Sequence, residues 1–139
     1  MLVKYKNKNT YHRKLSGIFK PQTVNYRIAP SLSNKNLFIQ ASKLNWLGHI
    51  RGLMFRSSKS ENLLFNISSD KNPVLHSWFV FFPFLVLWLN DKNRVVEWKK
   101  VYPFSMGIKS SKKFSKFVEI PCNNKNKKLV RYFVERGKI

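Results

Sequence analysis

The sequence predicts an α+β fold, predominantly β: a compact, small barrel-like domain of about six strands and one short helix. An extended basic arm precedes it and a basic tail follows. Three observations lead there. Between residues 36 and 134 short apolar runs recur, separated by clusters of Asn, Ser, Asp, Gly or Pro, the punctuation of strands and turns. One stretch, residues 45–55, spaces its apolar side chains at helical intervals. The charge is also segregated: residues 1–60 carry twelve Lys/Arg and no acid, whereas residues 61–98 are slightly negative.

Residues 1–35 are polar and basic, interrupted by Pro21 and Pro30, and follow no helical or strand period, so an extended arm is expected. Residues 36–42 read as a first strand. Residues 45–55 place Trp46, Leu47, Ile50, Leu53 and Met54 at helical spacing, with Asn45 as a cap. Residues 62–67 form a second strand, and the following SSDKNP is a turn. Residues 74–82 and 84–89 read as two buried strands, or one strand bent at Pro83. The turn cluster at 90–93 and the alternating residues 94–98 make 84–98 a β-hairpin. After a loop at 103–111, residues 114–120 form another strand. Residues 121–128 are a charged, Asn-rich loop, and 129–134 are a last strand or a docking tail. The expected division is a basic arm at 1–35, a compact β-rich domain at 36–122 and a basic tail or strand at 123–139.

Composition narrows the function. Twelve Phe, five Tyr and four Trp in 139 residues are too many for a disordered polyelectrolyte. A single cysteine, Cys122, excludes a disulfide scaffold. The longest apolar run, Trp78 to Leu89, is twelve residues, short of the roughly 20 of a spanning helix. The opening MLVKYKNKNTYHRK has no apolar h-region. A soluble, cytoplasmic protein is the expectation.

A net charge of +21 disfavours the compact state by self-repulsion unless a polyanion neutralises it. AT-rich codon usage adds Lys, but it does not hold Asp and Glu to six. Nucleic acid is the first candidate partner and an anionic membrane the second. The cations fall in three clusters: Lys4, Lys6, Lys8, Arg13 and Lys14, beside Tyr11; Lys109, Lys112, Lys113 and Lys116; and Lys125, Lys127, Lys128 and Arg131. Lys20, Arg27 and Lys35 continue the first. Lys outnumbers Arg, which favours phosphate neutralisation over bidentate base recognition. Aromatic residues in an irregular arm suit folded RNA better than a DNA duplex, so a DNA-coating chromatin protein ranks behind. The basic segments lack amphipathic helical spacing, which argues against a membrane surface. The expectation is a non-catalytic RNA-binding protein, ribosomal or ribosome-associated, with rRNA and neighbouring ribosomal proteins as partners and no small-molecule substrate.

Other chemistry is sparse. His12, His49 and His76 are far apart and show no metal-ligand spacing, so neither metal nor cofactor is expected. His76 reads as a hydrogen-bonded residue opening a buried strand. Cys122 lies among lysines that could lower its pKa, yet a half-buried inert thiol is the simpler reading. Glu97 and Glu119 are assigned to salt bridges with neighbouring lysines, and Arg51 and Arg56 to hydrogen bonds that hold the short helix. The run WFVFFPFLVLW is assigned to the core, because base-stacking platforms alternate aromatic with polar residues.

Seven pieces carry a family resemblance: Arg51-Gly52-Leu53-Met54-Phe55-Arg56, Leu63-Leu64-Phe65, His76-Ser77-Trp78-Phe79-Val80-Phe81-Phe82-Pro83, Val86-Leu87-Trp88-Leu89, Val95-Val96-Glu97, Pro103-Phe104 and Val118-Glu119-Ile120-Pro121. In order and spacing, residues 36–122 resemble archaeal-type members of the uncharacterised family catalogued as domain of unknown function 192. The resemblance implies a compact, β-rich α+β domain and no established reaction. Leu85 and Asn90 stand where the family usually has Asp, and Cys122-Asn123 with a lysine run replaces its continuation. These departures fit a scaffold recruited to bind a polyanion, and they speak against the alternative expectation, a small-molecule-binding or enzymatic member with a pocket near Arg51, Arg56 and His76.

Overall fold

The structure is a computed structural model that describes residues 22–28 as backbone and residues 37–43, 52–67 and 72–136. Six strands form one mixed sheet: β1 Gln22–Ile28, β2 Leu37–Lys43, β3 Asn62–Asn66, β4 Phe84–Leu89, β5 Val95–Val101 and β6 Lys116–Pro121. A helix, α1, spans Lys127–Arg136. The spatial order is β1-β2-β3-β6-β4-β5, with β2 and β3 parallel and every other pair antiparallel. The molecule is thus the small, β-dominated α+β fold expected from sequence, but the sheet is open rather than barrel-like. β1 and β5 are its two edges. No helix among the described residues is long and apolar enough to cross a membrane.

Both faces of the sheet are covered, and this dictates the composition of the central strands. Side chains alternate between faces along a strand. One face carries Leu63, Phe65, Phe84, Val86, Trp88 and Phe117, covered by Leu53, Val80, Phe82, Ile108 and Phe114 from irregular segments. The other carries Ile39, Ala41, Leu64, Leu85, Leu87, Val118 and Ile120, covered by Phe133 of α1. β4 lies between β5 and β6, and all six of its residues are buried. It therefore reads as an unbroken apolar run.

Four local expectations are corrected. Residues 129–134, expected as a strand or a docking tail, are a helix docked on the sheet. Leu129, Val130, Phe133 and Val134 recur at helical spacing and pack on the sheet. The start of this helix is anchored by Asn126, whose side-chain amide donates to Pro121 O and to Asn62 Oδ1, both at 2.8 Å. Residues 22–28, within the expected arm, form β1, paired with β2 from Gln22↔Lys43 to Ile28↔Leu37. The rest of the arm lies outside the described residues. The helix expected at 45–55 does not extend over 52–55, where Gly52 and Phe55 have φ of 49° and 57°. Such left-handed residues end helices rather than continue them. Its earlier part is not described.

Residues 74–82 do not form the buried strand expected there. They follow an irregular path with one bridge, Leu75 to Ile108. Ser77 organises it from a fully buried position: its hydroxyl donates to Tyr102 O at 2.7 Å and accepts the Ser105 N–H at 2.6 Å. Val80 and Phe82 turn into the core, whereas Trp78, Phe79 and Phe81 are exposed. The aromatic run is therefore core only in part. The hairpin forms as expected and extends to Val101. Asn90 holds its turn, its side-chain oxygen accepting the N–H groups of Lys92 and Arg94.

Candidate nucleic-acid interface and a buried carboxylate

The structure places the described cations of the candidate interface in two groups. Lys109, Lys112 and Lys113 lie on the β5–β6 connection, and Lys116 opens β6. Lys125 precedes α1, while Lys127, Lys128 and Arg131 sit on its first turns. All are exposed except half-buried Lys116, whose ammonium donates to Asn93 Oδ1. The connection supplies Ile108 and Phe114 to one core layer, and α1 supplies Phe133 to the other. The two groups thus belong to opposite faces of the sheet. Lys125 and Lys128 also line a groove of about 530 Å³ between β2 and α1, together with Phe38 and Glu61. The helical spacing absent from the sequence reading is present in α1, but its apolar side is spent on the sheet. Arg27 lies on the edge strand β1, opposite Phe38. Lys4, Lys6, Lys8, Tyr11, Arg13, Lys14, Lys20 and Lys35 lie outside the described residues.

The described acids do little to neutralise these cations. Glu97 is not paired with lysine: its Oε2 accepts from Ser110 Oγ at 2.6 Å and from the Ser111 N–H at 2.8 Å. Partial burial works to raise its pKa, but these hydrogen bonds win and hold the carboxyl below its ordinary value. Glu61 accepts from Ser42 Oγ, and Asp91 from the Lys92 N–H. The one ion pair among the described residues joins Arg131 and Glu135 within α1, at 3.4 Å and exposed. Such a pair contributes little.

Glu119 is the exception to a surface reading of the charges. It sits in mid-β6, in register with Leu63 of β3 and Val86 of β4, and is 7% exposed. The Leu53 N–H donates to its carboxylate and Arg56 lends a positive field, yet burial dominates and raises its pKa to about 7. Its Oε2 has no hydrogen-bond partner. The turn above it has glycine for a reason: at Gly52, φ is +49° and a Cβ would stand 3.1 Å from that oxygen. Arg56 holds the turn, donating from Nε to Gly52 O at 2.9 Å, so its hydrogen-bonding role stands although the element is a turn rather than a helix. A cavity of about 230 Å³ adjoins the carboxyl, lined by Met54, Ile67, Leu75, Val80 and His76 among others. His76 is exposed at its margin rather than buried in a strand. Arg51 lies outside the described residues.

Cys122 is half-buried, and burial raises its thiol pKa against the opposing charge of Lys100. The half-buried position is the one the sequence favoured. No three His, Cys, Asp or Glu side chains among the described residues gather closely enough to share a metal ion. Sequence reasoning missed the isolation of Glu119 and the exposure of Trp78, Phe79, Phe81 and Phe104. For Glu119 a signal existed, a lone acid between the apolar residues Val118 and Ile120 of a central strand. The aromatics gave none.

No family model matches this chain, and no curated protein matches it. Two solved structures share its fold. A protein of unknown function from Novosphingobium aromaticivorans superposes with a TM-score of 0.65 at 13% identity, over 84% of this chain and 85% of that one. A protein from Sinorhizobium meliloti, provisionally named a transcription regulator, superposes with a TM-score of 0.61 at 15% identity, over 82% of this chain and 91% of that one. At these identities the likeness is one of fold alone.

Proposed function

We propose that this is a non-catalytic RNA-binding protein of the cytoplasm, ribosomal or ribosome-associated, which contacts rRNA phosphates through its basic arm, its β5–β6 connection and α1. The observation that carries the reading is the uncompensated charge: exposed lysines on both faces of the sheet, with one exposed ion pair among the described acids. Each lysine that meets a phosphate releases a condensed counterion, which supplies affinity without sequence readout. Cations on two opposite faces suit a protein seated between RNA segments better than one lying on a single duplex. Sedimentation of a native lysate, before and after a high-salt wash, tests this. Co-migration with one ribosomal subunit that survives the wash is the expected result. A protein that stays at the top of the gradient in low salt overturns it.

The cavity beside Glu119 favours a second reading, a small-molecule-binding domain of the family that residues 36–122 resemble. Thermal-shift screening of small amines and alcohols against the protein and its Glu119→Gln variant distinguishes it. A ligand that stabilises the first and not the second supports the pocket. The absence of any such ligand removes it.

A further inference from the structure

Three irregular segments meet outside the loop-covered face of the sheet: residues 52–56, 75–82 and 102–108. Backbone hydrogen bonds join them. The Phe55 N–H donates to Phe79 O at 3.0 Å, and the Phe104 N–H to Ser77 O at 3.1 Å. Leu75 and Ile108 exchange a reciprocal pair at 2.7 and 3.0 Å. On this frame Trp78, Phe79, Phe81 and Phe104 are between 42% and 63% exposed. Phe79 stacks on Phe55 with ring centroids 4.9 Å apart, and Phe81 meets Phe104 edge-on at 5.7 Å. Phe55, Phe79 and Phe104 all have φ between 57° and 59°, a backbone region that bulky side chains rarely adopt. Strained conformations of this kind persist where surrounding structure enforces them, and they gather at binding sites.

The rings are exposed, and the segments that carry them hold Arg56 and no acid. Exposed Lys109 follows the third segment, and Arg56 closes the first beside Phe55. A partner protein would have to offer apolar surface beside acidic surface. An unpaired nucleic-acid strand brings both complements at once, bases for the rings and phosphates for the cations beside them. Resting on the RNA-binding reading above, we propose that Trp78, Phe79, Phe81 and Phe104 form a stacking platform for unpaired RNA bases. The preferred RNA then has accessible single-stranded bases, and a duplex offering only its phosphates is a poorer ligand.

The test uses the full chain and three probes of about twelve nucleotides: oligo(A), the same strand in a duplex, and an abasic strand of equal phosphate number. Oligo(A) is expected to bind about tenfold or more tightly than the abasic strand. Phe79→Ala, Phe79→Leu and Phe81→Ala should each lose most of that margin, Phe79→Tyr should keep it, and the salt dependence should stay unchanged. Quenching of tryptophan fluorescence by oligo(A) should fall in Trp78→Phe. Melting curves show which variants remain folded, and Phe81→Ala serves if those at Phe79 do not. Salt-dependent binding that ignores the bases, or affinity unmoved by the folded variants, overturns the platform and leaves phosphate binding standing. Failure of all three probes to bind, even at low salt, overturns the RNA-binding reading itself.

Discussion

Replacing Glu119 with Gln changes one proton and almost no volume, so it isolates the consequence of burying a carboxyl between β3 and β4. Three influences act on it. Burial disfavours the ionised form, while the Leu53 N–H and the Arg56 charge favour it; burial wins, and the pKa rises from 4.5 to about 7. The folded state then holds its proton more tightly than the unfolded state does. Stability from this group is fully present below the unfolded value of 4.5 and is lost as pH rises to about 7. At about 1.36 kcal/mol per unit, the loss is about 3 kcal/mol. Gln cannot ionise, and its amide oxygen can still accept from Leu53. Guanidinium unfolding of both proteins from pH 4 to 8 reads the difference. The stability of Glu119→Gln minus that of the parent should rise with pH between 4.5 and 7, by about 3 kcal/mol, then level off. Were the carboxylate instead ionised and held by Arg56, its pKa would lie below 4.5, the variant would lose ground only as pH rises toward 4.5, and the difference would be flat from there to 7. A flat or falling difference therefore refutes the assignment.

Three further predictions follow from packing and charge. Gly52→Ala should destabilise the protein by about 1–2 kcal/mol, because its backbone is left-handed and the new methyl crowds Glu119 Oε2; denaturant unfolding measures it, and the loss should persist at pH 4. Phe133→Ala should cost about 3–5 kcal/mol by emptying the contact between α1 and the sheet, seen as a lower denaturant midpoint. Changing Lys109, Lys112 and Lys113 together to Gln should leave the fold intact. It should flatten the dependence of log affinity for RNA on log salt by about 0.7–0.9 for each lysine that contacts a phosphate. An unchanged slope would remove the β5–β6 connection from the interface.

The local pattern suffices where a segment's neighbours in the chain are also its neighbours in space. The β4–β5 hairpin was legible because Asn90 closes its own turn and Val95 to Val101 pair back on the preceding strand. β2, β3 and β6 were legible as short apolar runs between turn residues. α1 was misread, although Leu129, Val130, Phe133 and Val134 carry a helical period. β-Branched and aromatic residues favour strands locally, and the Asn126 bonds to Asn62 and Pro121 that anchor the helix are tertiary. β1 was hidden for the same reason, since a polar strand announces itself only through its partner, β2.

By itself the sequence determined the β-dominated class, the segregation of charge and the scarcity of acids, all of which depend on composition and on short-range order. Tertiary structure decided what became of individual side chains. Whether Phe79 is core or surface depends on the left-handed turn that rotates it away from Val80 and Phe82. Whether Glu119 is an ordinary surface acid or a neutralised one depends on the strands and the glycine turn that close over it. Burial, backbone strain and electric field are properties of three-dimensional neighbours, and those neighbours come from segments dozens of residues apart in the chain.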